Sequence, residues 1–264
     1  QMLLPEDPDL RIPGSREFVA ALRIAAGEME AADALLSAPN VDPRLRNALK
    51  TLVAAIGRQP LDADEPTTAS EFLARSWWSQ ANWNIPAALL DARRARAIKD
   101  SALVFARIAQ LEFASGNLAA ARKACDAALA MAPEMATALT VRGFLSAAEN
   151  RLEEAENWFE RAMAVDPRLG DAWLGRGLVR YRRGRSTEAL DDLRLAARRQ
   201  RDRALFRAYL GRLEVVSGWT EAGLEELKLA LELDEKDPTG WWFSALERFQ
   251  RHRVNEAVEF LEGA

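Results

Sequence analysis

The chain has 264 residues, 49% hydrophobic and 29% charged, which are the proportions of a folded protein rather than a disordered one. A formal net charge of −4 and a pI near 5.4 leave no global positive field to attract nucleic acid or anionic lipid. One cysteine excludes an internal disulfide, no apolar run is long enough to span a membrane, and the abundance of Ala, Leu, Arg and Glu predicts an all-α chain.

Residues 1–14, QMLLPEDPDLRIPG, carry Pro5, Pro8 and Pro13 and lack the basic and apolar regions of a signal peptide. They read as a flexible lead and as the cut edge of a longer natural chain, so cytoplasm and periplasm both stay open. Residues 15–60 are expected to form an N-terminal helical cap. There Ala20, Gly27 and Ala32 keep the spacing of a degenerate repeat, and a helix follows near 42–58. Residues 61–68 are a turn-rich connector.

From 69 to 264 the sequence repeats. Ala109, Gly143, Gly177, Gly211 and Ala245 stand 34 apart, as do Gly116, Asn150, Gly184, Gly218 and His252. Small residues recur again at Ala121, Ala155, Ala189, Gly223 and Ala257, and at Ala128, Ala162, Ala196, Ala230 and Ala264. Phe105, Leu139, Trp173 and Trp241 make a large apolar column broken by Arg207. The units run about 69–101, 102–135, 136–169, 170–203, 204–237 and a truncated 238–264. The first is looser, with Ser76, Trp83 and Ala88 in register and Trp83 in place of the turn glycine.

Each unit reads as helix, tight turn, helix. Glycine or asparagine at the turn accepts positive φ at a helix C-terminus, and the small columns let two antiparallel helices approach closely. Pro133 and Pro167 end second helices.

Segments such as NRLEEAENWFERAMAVDP (150–167) and DAWLGRGLVRYRRG (171–184) resemble the two halves of a tetratricopeptide repeat. The resemblance covers about 69–264. Arg201 and Glu235 stand where proline is common, and Gly223 where alanine is. It implies an all-α, right-handed superhelical solenoid of antiparallel helix hairpins, and in its repeat style it is similar to tandem arrays of large, often envelope-associated bacterial proteins.

Nothing in the chain supplies catalytic chemistry. His252, the sole histidine, falls in the turn column and is expected in solvent, while Cys125 shares a core-facing column with Phe159, Leu193, Leu227 and Leu261. Glu153, Glu154 and Glu156 read as a solvated helix face beside Arg151 and Arg161. The ten arginines from Arg176 to Arg203 read as a solvated face, or as a patch for an acidic partner, in preference to a nucleic-acid site. No P-loop, GxGxxG, HExxH or CxxC pattern occurs, so no cofactor and no metal are expected.

In such a solenoid the resemblance puts the first helix of each unit on the concave side. One inward column is then Gln110, Phe144, Leu178, Arg212 and Leu246, and a second is Phe113, Ala147, Tyr181, Val215 and Phe249. Trp77, Tyr209 and Trp242 are expected beside them. An apolar, aromatic groove of this kind marks a binding surface for a protein or peptide. Inward positions hold no Lys or Asn, only Arg107, Arg182 and Arg212, so the carboxylate clamp of tetratricopeptide co-chaperones is absent.

Two other roles compete with the non-enzymatic binding scaffold. One is an assembly region that self-associates end to end, and the other is an accessory part of a larger protein. For the first, the final segment VNEAVEFLEGA offers no polar cap, and Trp241, Val258 and Leu261 lack a following helix.

Overall fold

The computed structural model describes residues 15–25, 27–61 and 64–262. The lead expected over 1–14 lies outside them. Among the described residues there are α-helices and no strand. The chain divides into two compact units, Gln1–Met131 and Ala132–Ala264. The first contains α1 (Ser15–Ala25), α2 (Met29–Leu36), α3 (Pro43–Gly57), α4 (Ala69–Ala81), α5 (Ile85–Ile98), α6 (Ala102–Ala114) and α7 (Leu118–Met131). The second contains α8 (Ala136–Ala148), α9 (Leu152–Val165), α10 (Gly170–Arg182), α11 (Ser186–Arg199), α12 (Ala204–Val216), α13 (Thr220–Leu233), α14 (Pro238–Gln250) and α15 (Val254–Glu262).

From α4 onward, consecutive helices pack as hairpins, and one device closes every hairpin turn. Gly116, Gly184 and Gly218 have φ of 77°, 80° and 92°, and Asn150 and His252 take 60° at the same place. The following amide then reaches back along the helix, as Asn117 N–H does to the Glu112 carbonyl (2.9 Å) and Arg185 N–H to that of Arg180 (2.9 Å). Trp83 adopts φ 61° in the looser first hairpin, a strained choice for a bulky side chain.

Packing across the small columns is close enough that substitutes are excluded. A methyl on Gly211 would lie 2.6 Å from the Gly223 carbonyl oxygen, and one on Gly223 would lie 2.5 Å from that of Gly211. Glycine at 223, where alanine is usual, therefore answers Gly211 across the hairpin. In α9, Phe159 is fully buried. A methyl on Gly143 of α8 would stand 2.6 Å from its ring, and one on Gly175 of α10 would stand 2.3 Å from it.

Salt bridges join the helices where the sequence suggested a solvated face. Glu156, expected in solvent, is buried and accepts from Arg180 (2.9 Å), Arg183 (2.7 Å) and Arg185. Burial alone would raise this carboxyl, but the bonds from Arg185 and Arg180 hold it low. Arg176 and Arg180 turn away from solvent to reach buried Asp192, at 2.7 Å and 3.0 Å. The sequence reads these arginines as part of a solvated face because the helix period counts position and ignores the reach of a guanidinium toward a carboxylate on the next helix. In the first unit, Arg75 and Asp91 make the same fork-to-carboxylate contact between α4 and α5, with both bonds at 2.9 Å.

α1 to α3 enclose their own core around Ala20, Leu36, Val41 and Leu49. Asn47 on α3 donates to Glu71 on α4 (3.0 Å), and Glu71 completes a capping box with Thr68. Burial alone would raise the Glu71 carboxyl, but the bonds from Asn47, Thr67 and Thr68 outweigh it and hold the group at about 2. A folded value below the unfolded one means the stabilisation is complete above pH 4.5 and is lost as pH falls through about 2. It totals roughly 3 kcal/mol, of which about 2 is gone by pH 3. Denaturant titrations between pH 6 and pH 3 should therefore show a steeper acid loss for the wild type than for Glu71→Gln. Equal slopes would show that Glu71 is not held low.

At the C-terminal hairpin, Trp241 is half-buried, with its ring 5.7 Å from that of Phe260 on α15 and its indole N–H on the Glu235 carbonyl (2.7 Å). Val254, Val258 and Leu261 remain exposed on α15. Cys125 is buried in α7.

Candidate functional site

In the second unit the first helices of the hairpins are neighbours: α10 packs against α8 and α12, and α12 against α14. The repeat register then places Phe144, Leu178, Arg212 and Leu246 in one row, and Ala147, Tyr181, Val215 and Phe249 one turn further on. Side-chain contacts run between these helices. Arg182 donates to the Ala147 carbonyl and to Asn150 Oδ1, both at 2.9 Å. Arg212 donates to Gln250 Oε1 at 3.0 Å, and the Tyr209 and Phe243 rings meet edge to face at 5.1 Å.

The expected site residues divide by exposure. Phe249 is 61% exposed, Trp242 54% and Tyr181 41%. Leu178 and Arg212 are half-buried. Phe144 is half-buried and turned edge-on to Phe159 at 5.0 Å, so it serves packing as much as surface. Tyr209 is half-buried too, and burial, with the nearby Asp237 charge, pushes its phenol upward. Phe113 and Trp77 lie in the first unit, on α6 and α4. Phe113 is half-buried, and Trp77 is 38% exposed.

Among the described residues no group of His, Cys, Asp or Glu is arranged to hold a metal ion, and no helix is long and apolar enough to cross a membrane.

Neither a protein-family model nor a curated protein matches the chain in sequence. Among solved structures it is similar to TTC0263, a thermophilic TPR protein of Thermus thermophilus, with a TM-score of 0.58 and 22% identity over 72% of this chain and 98% of that one. A tetratricopeptide repeat protein from Parabacteroides merdae aligns with a TM-score of 0.56 and 15% identity over 93% of this chain and 89% of that one. The fold is that of the tetratricopeptide repeat. PilF of Pseudomonas aeruginosa also matches, with a TM-score of 0.51 and 16% identity over 73% of this chain and 88% of that one.

Within the tetratricopeptide hairpins of the first unit, Arg107 departs from expectation. The sequence puts it on the open inner face, yet it is only 2% exposed. Its guanidinium lies 3.5 Å from the centre of the Trp77 ring. It donates to Ser76 Oγ (2.9 Å), the Ser76 carbonyl (2.9 Å) and Gln80 Oε1 (2.6 Å). Burial lowers its pKa to about 9, so it stays charged at neutral pH. The sequence carried the signal for this: Arg107 shares a column with Val141, Gly175, Tyr209 and Phe243. Sequence reasoning also passed over Trp219, which stands 59% exposed at the α12–α13 turn with Arg194 near its ring (5.6 Å).

Proposed function

We propose that the chain is a protein-interaction scaffold whose second unit holds an extended or helical segment of a partner protein along α8, α10, α12 and α14. The observation that supports this most directly is the exposure of Tyr181 on α10 and of Trp242 and Phe249 on α14, the first helices that pack on α12. Large aromatic side chains left in water together lose little by binding and gain the burial of their full apolar area, which is why they anchor interfaces. Leu178 and Val215 between them continue the apolar floor.

Selection of displayed peptides on the immobilised chain supplies ligands for the test. Phe249→Ala and Tyr181→Ala are each expected to weaken the selected peptides by roughly 2 kcal/mol, about thirtyfold. Lys228→Ala, on the second helix α13, serves as the outer-face control and is expected to change nothing. Unaltered affinity in both aromatic variants would exclude the inner rows as the site.

A further inference from the structure

The inner face of the second unit carries a charge imbalance. Several arginines of the unit face carboxylates: Arg176 and Arg180 meet Asp192, Arg194 meets Glu214, and Arg207 meets Glu226. Arg182 and Arg212 do not. Among the described residues they reach only neutral oxygens, those of Ala147 and Asn150 for the first and of Gln250 for the second. Carboxylates are not scarce in this acidic chain, yet the columns that carry Leu178, Tyr181 and Arg182 contain no Asp or Glu on α8, α10, α12 or α14.

Amide and carbonyl oxygens fix the direction of a guanidinium without cancelling its charge. Both guanidinium groups make these contacts at exposed positions, open to an incoming carboxylate and to screening by salt. An incoming carboxylate would gain charge-assisted hydrogen bonds there with no internal carboxylate to displace. An incoming lysine would meet like charge.

We infer that the partner segment bound by the second unit interleaves apolar side chains with aspartate or glutamate, the carboxylates meeting Arg182 and Arg212 and the apolar groups covering Tyr181 and Phe249. This rests on the function proposed above and adds the sign of the ligand.

The test uses three fluorescein-labelled peptides of leucine, phenylalanine and alanine, alike except that the spaced polar positions are glutamate, glutamine or lysine. Each is titrated into the full chain by anisotropy. The glutamate peptide is expected to bind about tenfold tighter than the glutamine one at low salt, with the margin shrinking as salt rises. The double variant Arg182→Gln/Arg212→Gln, checked for an unchanged melt, should erase the margin between the glutamate and glutamine peptides. Equal binding of glutamate and glutamine peptides, or a margin that survives in the double variant, overturns the inference. If that equal binding is still lost in Phe249→Ala, the scaffold reading stands and only the charge preference falls. Binding of none of the three overturns both.

Discussion

Replacing Phe159 by alanine should cost the second unit roughly 3–5 kcal/mol, the loss expected for a large aromatic ring deleted from a core that cannot collapse. The ring is fully buried and sits between the backbones of α8 and α10 where Gly143 and Gly175 leave room for it. Neither glycine can extend a side chain to fill the space, so most of the cavity persists. Chemical denaturation followed by circular dichroism measures the effect. A loss below about 1 kcal/mol would mean that the helices close over the gap.

Asp192→Asn should be comparably damaging, at about 3 kcal/mol or more, because it keeps the shape and removes the charge on which two arginines converge. Asp192 is buried, and Arg176 and Arg180 are largely withdrawn from solvent beside it. Arg180 retains Glu156, but Arg176 is left with only Glu160 at 3.5 Å. The same denaturation measurement decides. A near-neutral result would show that water compensates both guanidinium groups.

The helical hairpins were legible because the device that closes them is local. A positive-φ residue must stand at each turn, and glycine, asparagine or histidine marks it every 34 residues. Compensation between neighbouring columns was not legible. Gly175 stands where other units have Val141, Tyr209 or Phe243, and its meaning is visible only once Phe159 of the preceding helix fills the space. Gly223 is likewise explained by Gly211 across the hairpin. Periodicity sorts residues by face, whereas long side chains are placed by what they reach. Glu156 and Arg180 therefore left their expected solvated face for each other, and Arg107 left the inner face to lie under Trp77. Among the proposed contact residues, Tyr181, Trp242 and Phe249 are exposed, while Phe144 and Tyr209 are drawn partly into packing by Phe159 and Phe243.

Site-specific photocross-linking tests partner binding on the inner rows most directly. Benzoylphenylalanine is placed singly at Tyr181, at Phe249 and at Lys228, and the protein is irradiated in the cells that produce it. One and the same polypeptide cross-linked from the first two positions and not from the third is the expected result. Cross-linking from Lys228 alone, equally from all three positions, or from none would contradict a binding site on the inner face of the second unit.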